Sequence, residues 1–212
     1  MSVLNNNLAL KTIVVGPMAV NCYIIYNKET KEAFLIDPGD DYAIIKRYLQ
    51  DNKLEAKFII HTHGHIDHIQ ADADFDLPIY IHTLDRNYLL DPDTNLSNFL
   101  GRAFKLSKKT INILEDNAEI KFGNSLLKII HTPGHTPGGI CIILGNALFS
   151  GDTLFAQGVG RTDFPGARYE QLIKSIKDKL FSLPDNTVVY PGHGEPTTIG
   201  REKKGNPFLT SP

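Results

Sequence analysis

Tryptophan is absent from this 212-residue chain, and cysteine and methionine occur only twice each. Two cysteines cannot build a disulfide framework, so burial and hydrogen bonding must hold the fold. Cys22 and Cys141 sit inside apolar, strand-like segments and read as buried free thiols, which suits a cytoplasmic protein. No apolar run approaches the roughly 20 residues that span a bilayer. The amino terminus shows no positive stretch followed by an apolar one, so secretion is not signalled. A strong charge of either sign is missing as well. The formal net charge is −2, and basic residues run no longer than Lys203-Lys204. That gives no electrostatic footprint for nucleic acid. With membrane and nucleic acid set aside, a small molecule is the expected partner.

Long linkers, low-complexity segments and tandem repeats are lacking too, and residues 1–212 read as one domain. What the chain does have is strand after strand, rich in β-branched residues. Lys11–Val15, Cys22–Tyr26, Ala33–Ile36, Phe58–Ile60 and Pro78–Ile81 form a first set, punctuated by Gly16-Pro17 and Asp37-Pro38-Gly39. Ala118–Phe122, Leu126–Ile130, Gly139–Leu144, Ala147–Ser150 and Thr187–Tyr190 form a second. Gly123-Asn124 and Gly145-Asn146 are expected hairpin turns. Apolar spacing predicts helices over Asp40–Gln50, Asp67–Phe75 and Tyr169–Phe181. Residues 83–117 show no regular pattern. Two strand-rich halves, each followed by helix, suit an α/β fold of two packed sheets with helices outside.

The chemistry is concentrated after the strands. His61-Thr62-His63-Gly64-His65-Ile66-Asp67-His68 packs four imidazoles and a carboxylate into eight residues. Neutral imidazole is the commonest metal ligand, and a neighbouring carboxylate suits a divalent ion. His63 and His65, one residue apart in an extended loop, point the same way and can share one ion. Asp67 and His68, on the next helical turn, reach that ion poorly and call for a second. His135, in Thr132-Pro133-Gly134-His135, and His193, in Pro191-Gly192-His193-Gly194, would add one imidazole to each centre. Asp152, in Gly151-Asp152, has two oxygens and could bridge. His61, ending its strand, is expected to pack in the core. His82 reads as a surface or core residue, and His131 as either a packed strand residue or a hydrogen-bonding support for a ligand.

The run His63–His68, followed by His135, Asp152 and His193 in that order, closely resembles the metallo-β-lactamase superfamily. Thr132–Gly138, Gly151-Asp152-Thr153-Leu154-Phe155 and Pro191–Gly194 look like its glyoxalase II-type (hydroxyacylglutathione hydrolase) branch. The resemblance implies a four-layer αββα sandwich with two mixed sheets packed face to face. It implies a first metal on His63, His65 and His135, a second on Asp67, His68 and His193, and Asp152 between them. Zinc is the expected pair, while iron and manganese accept the same ligands. The implied reaction is hydrolysis of a thioester of the S-lactoylglutathione type by a hydroxide held on the metals, with Asp67 both binding and orienting.

Arg161 stands where the branch has a glutathione-binding lysine, and its planar fork could bind a carboxylate. An ion pair with Asp163 is the competing role. The tyrosine that follows that lysine in the branch is not matched, and the chain stops at Pro212 without the branch's helical glutathione-binding domain, like its short members. Gly160-Arg161-Thr162-Asp163-Phe164 also resembles the superfamily's persulfide dioxygenases, which use one iron on the equivalents of His63, His135 and Asp152. A lactonase or another ester hydrolase would share the metals.

Overall fold

The computed structural model describes residues 3–4, 7–107 and 110–210. Met1, Ser2, Asn5 and Asn6, part of the amino-terminal stretch read above, lie outside the described residues. The first sheet contains β1 (Leu8–Val15), β2 (Val20–Asn27), β3 (Glu32–Ile36), β4 (Glu55–Ile60), β5 (Ile79–His82) and β6 (Ile111–Leu114), hydrogen-bonded in that order. β7 (Glu119–Phe122), β8 (Ser125–His131), β9 (Ile140–Leu144) and β10 (Ala147–Gly151) open the second. A short ribbon of β11 (Leu154–Phe155) and β12 (Gly158–Val159) follows. β13 (Val188–Pro191) and β14 (Thr197–Thr198) complete the second sheet in the order β14-β13-β10-β9-β8-β7. Both sheets are mixed: β3 to β6 run parallel and β1 to β3 antiparallel, while in the second sheet only β10 and β13 are parallel.

Strand periodicity builds the layers. In β2, Tyr23 and Ile25 enter the core between the sheets, while Cys22 and Ile24 face the opposite layer. In β3, Phe34 and Ile36 point inward and Ala33 and Leu35 outward. The second sheet repeats the rule, with Ile140, Ile142 and Phe149 between the sheets and Cys141 and Leu148 outside. Strands buried on both faces read as unbroken apolar runs, which explains their legibility in the sequence. Helix α1 (Tyr42–Asp51) covers the first sheet through Ile45 and Leu49, and α2 (Ile66–Ile69) contributes Ile66 and Ile69 to the same layer. Helix α3 (Tyr169–Ser175), prolonged by a π-turn over Ile176–Leu180, covers the second sheet through Leu172, Ile176 and Leu180. Helices α4 (Ile199–Gly205) and α5 (Pro207–Thr210) join it there with Ile199 and Leu209. The result is the αββα sandwich. Cys22 and Cys141 are buried free thiols. No helix among the described residues is long and apolar enough to cross a membrane.

Both expected hairpins form: Phe122 pairs with Ser125 around Gly123-Asn124, and Leu144 with Ala147 around Gly145-Asn146. The helix expected over Asp67–Phe75 is shorter. After Ile69 the chain tightens into a 3₁₀ turn over Gln70–Ala73. The cause lies outside the helix, because the Ala71 N–H donates to Gly39 O at 2.6 Å and the Asp72 carboxylate is drawn inward to His61. The region without pattern holds two 3₁₀ segments, Thr83–Leu89 and Ser97–Leu100, and the edge strand β6, which the sequence reading missed.

Candidate metal centre

The candidate ligands lie in the loops after strands or, for Asp67 and His68, on the short helix α2 that follows β4. β4 delivers the histidine run, β8 leads to His135, β10 ends at Asp152 and β13 at His193. Three residue groups gather there: His63, His65 and His135; Asp67, His68 and His193; and Asp37, His63 and His68, which links the other two. In each, one donor atom per residue lies within 4.8 Å of the others. His65 Nδ1 and His135 Nε2 approach to 2.9 Å. Asp152 lies between the first two groups, with Oδ2 3.7 Å from His135 Nε2 and 3.6 Å from His193 Nε2, and Oδ1 3.5 Å from His68 Nε2. The backbone makes room for it: a Cβ on Gly192 would collide with Asp152 Oδ1 and lie 2.9 Å from His68 Cε1.

The second ring nitrogens determine what each histidine presents. His135 Nδ1 donates to Arg161 O at 2.7 Å, and His193 Nδ1 to Met18 O at 3.0 Å. His68 Nδ1 donates to Asp37 Oδ2 at 3.0 Å, and His63 Nδ1 lies 3.1 Å from Thr62 Oγ1. All four therefore turn Nε2 toward the common space. His63 Nε2, His68 Nε2 and Asp152 Oδ1 are buried yet make no hydrogen bond among the described residues. Buried polar atoms are rarely left so. A set of imidazole and carboxylate donors with their outer nitrogens anchored and inner atoms unsatisfied fits divalent cations.

Charge separates the first two groups. Burial, then the neighbouring imidazoles, holds His63 and His65 well below the ordinary histidine range, so both are neutral donors. Burial would also lower His68, but the Asp67, Asp152 and Asp37 carboxylates override it and push it up to about 10. Burial opposes ionisation of Asp67, yet His68 and His193 keep its carboxyl well below the usual carboxylate range.

The structure adds residues that the sequence reading passed over. Asp37 follows β3 and accepts from Thr62 N at 2.8 Å, Thr62 Oγ1 at 2.5 Å and His68 Nδ1. Its backbone has a φ of 48°, unusual for a residue with a Cβ, and such strain clusters at functional sites. His61, expected to pack as core, is buried but doubly engaged. Its Nε2 meets Asp72 Oδ2 at 2.8 Å and its Nδ1 lies 3.4 Å from Asp37 Oδ1. A buried chain thus runs Asp72–His61–Asp37–His68 into the site. Burial disfavours the charged imidazole of His61, but Asp72 and Asp37 outweigh it and push His61 up to about 9. Asp85, from the irregular region, braces the other group. It accepts from Gly64 N at 3.1 Å, between His63 and His65, and from Thr136 Oγ1 at 2.7 Å and Gly138 N at 2.6 Å, beside His135. Burial lifts its carboxyl to about 6 despite those donors. A visible signal existed for Asp37, a carboxylate directly after a strand in Asp37-Pro38-Gly39. Asp85 had none.

His131 does not touch the site; its Nε2 meets Pro137 O at 2.9 Å and its ring stacks on His82 at 4.0 Å. Arg161 stands at the mouth of the centre. Its Nε and Nη2 grip both oxygens of Asp163, at 3.0 and 2.7 Å, and its guanidinium lies 4.5 Å over the Phe164 ring. A cavity of about 630 Å³ opens over His65, Asp67, His135, Asp152 and His193.

Comparison with known proteins agrees with this architecture. The solved structure of BLEG-1, a B3 metallo-beta-lactamase, superposes with a TM-score of 0.90 at 40% identity, covering 96% of this chain and 100% of that one. TTHA1623, solved in a di-iron-bound form, gives a TM-score of 0.82 at 35% identity over 94% of this chain and all of the other. Hydroxyacylglutathione hydrolase GloC of Haemophilus influenzae is 36% identical over 95% of this chain and 98% of its own length. The profile of the Metallo-beta-lactamase superfamily matches residues 15–193, and the chain belongs to that superfamily.

Proposed function

We propose that the protein is a metal-dependent hydrolase of acyl thioesters of the S-lactoylglutathione type. The observation that carries this reading is the pair of donor groups sharing Asp152 on the floor of an open cavity. A structural metal site is closed by its protein ligands, whereas this one faces space large enough for a substrate. The similarity to a protein named hydroxyacylglutathione hydrolase supports the same substrate class.

In this reading His63, His65 and His135 would hold one divalent ion and Asp67, His68 and His193 a second, with the Asp152 carboxylate available to both groups. Zinc is our first choice, and the di-iron relative makes iron the main competitor. When bound, the ions supply a water acidified toward neutrality and an electrophile for the acyl oxygen. The chain does the rest. Asp67, beside His68 and His193, presents its carboxylate to orient the attacking water. Asp37 and the carbonyls of Arg161 and Met18 hold the imidazoles with Nε2 inward. Asp163 engages two of the nitrogens of Arg161, leaving Nη1 to face a carboxylate of the thiol carrier.

The test is turnover of S-lactoylglutathione by metal-loaded protein, followed as thiol release, beside oxygen uptake with glutathione persulfide. Thiol release that disappears on chelation and returns with metal supports the proposal. Oxygen uptake without thioester turnover would replace it with the persulfide dioxygenase reading.

A further inference from the structure

The cavity over the metal centre is built unevenly. On one side stand Phe164, Arg161 and Asp163, beside His65 and His135. An apolar wall is contributed by Leu96, Phe99 and Leu100 from one segment, and by Met18 from the turn before β2. Met18 is fixed beside His193 by its carbonyl, and Leu100 and Met18 also line a small adjoining recess that reaches Asp67. Phe99 is 83% exposed, Leu100 52% and Met18 41%, an apolar surface left open at the mouth of a reaction site. Isolated exposed hydrophobics are ordinary, but a contiguous apolar patch at a cavity marks a binding surface.

The chain pins this wall in position. Leu96 adopts a φ of 68°, a left-handed backbone that costs a residue with a Cβ about 1 kcal/mol or more. The segment is tied down by Asn95, whose Nδ2 donates to Tyr88 O at 2.8 Å and Phe104 O at 3.2 Å, and whose Oδ1 accepts from Ser97 N at 2.9 Å. Asn95 O in turn accepts from Ile66 N, next to Asp67, at 2.9 Å. The apolar wall is therefore held at a fixed distance from the acid assigned to orient the water. Beyond the floor, the charged side chains lining this cavity among the described residues are Arg161 and Asp163, which pair with each other, while Asp40 and Arg102 line the adjoining recess. A charged acyl group would find no partner in the side chains of Leu96, Phe99, Leu100 and Met18 themselves.

We infer that the preferred substrate carries an uncharged, apolar acyl chain several carbons long, lying on Leu96, Phe99, Leu100 and Met18 while the thiol carrier faces Arg161. This rests on the thioester-hydrolase reading and narrows it: the lactoyl group, small and hydroxylated, is not the acyl group the cavity is shaped for. The reaction forms a C–O bond from water to the acyl carbon and breaks the C–S bond. It leaves a carboxylate and a thiol, with the remaining proton passing to solvent.

The test measures kcat/KM of metal-loaded protein on S-acetyl-, S-butanoyl-, S-hexanoyl- and S-octanoylglutathione beside S-lactoylglutathione. The expected result is a rise of about two- to fourfold per methylene through the hexanoyl ester, which exceeds the lactoyl ester. Phe99→Ser should flatten that slope, and because Phe99 is exposed the variant should fold. Ile113→Ser, an exposed apolar position on β6 outside the cavity, should leave the slope intact. A flat series, a lactoyl ester that is turned over best, or a slope insensitive to Phe99→Ser overturns the inference while thioester hydrolysis stands. Absence of turnover on every ester overturns the hydrolase reading, and the inference with it.

Discussion

The two donor groups use similar side chains but stand on opposite kinds of support. His63, His65 and His135 are three imidazoles steadied by the Thr62 hydroxyl, the Arg161 carbonyl and loops tied by the Asp85 carboxylate, which meets only neutral donors. Asp67, His68 and His193 include a carboxylate and lead back into the buried chain Asp37–His61–Asp72. Within the first group, His63 and His65 are neutral because burial and like charges disfavour protonation. The second is a nest of opposite charges. A hydrogen bond lost from neutral support costs little unless its partner is left buried and bare, whereas a buried ion pair broken on one side strands a charge. The same centre thus carries a tolerant half and a brittle half.

Mutations of the donors themselves bracket the comparison. His65→Ala on one side and Asp67→Asn on the other should each lower thioester kcat/KM by more than about 100-fold, beyond the usual cost of losing an outer hydrogen-bond partner. Near-normal turnover in either variant, or in protein stripped of metal, would remove the metal scheme for that half.

The next effect separates the supports. His61→Leu leaves Asp72 and Asp37 without their shared imidazole and should destabilise the fold by about 3–5 kcal/mol in denaturant titration. Asp85→Asn keeps one acceptor but turns an amide N–H toward backbone donors, and should cost about 1–3 kcal/mol. If the Asp85 variant suffers as much as the His61 variant, the division into brittle and tolerant halves is wrong.

The smallest effect lies outside both groups. Burial, with His131 and Lys179 adding to it against Asp116, lowers His82 to about 4. The unfolded chain takes up that proton near 6.5, and the folded one resists it until about 4. The contribution of His82 to stability is therefore intact above pH 6.5 and is lost as the pH falls toward 4. His82→Asn retains an acceptor for Leu84 N and should flatten this part of the stability–pH curve, measured by chemical denaturation between pH 4 and 7. An unchanged curve would show that the His82–His131 stack carries no such linkage.

Much of the fold was legible because its inner strands are buried on both faces, so Cys22–Tyr26, Ala33–Ile36 and Gly139–Leu144 stand out as apolar runs bounded by turn residues. β6 escaped notice because it is a four-residue edge strand whose alternation is half solvent-facing. The helix after His68 was overestimated because its apolar spacing continued, while Asp72 and Ala71 were committed to tertiary partners that local pattern does not encode. In the site, the seven donor candidates were readable because metal-type residues cluster at short spacing after strands. Their supports were not. Asp37 and Asp85 are 21 to 53 residues from the groups they hold, and Asp72 pairs with a histidine that looked like core. For Arg161 the sequence offers substrate binding or an ion pair with Asp163; the ion pair is formed, and Arg161 also lines the cavity.

The claim on which the rest depends is that each donor group holds its own ion. Metal content per chain, measured by elemental mass spectrometry on wild type, His135→Ala and His193→Ala, tests it most directly. Two ions are expected in the wild type and one tightly held ion in each variant. A wild-type protein that holds a single ion, lost by His135→Ala and kept by His193→Ala, would contradict it.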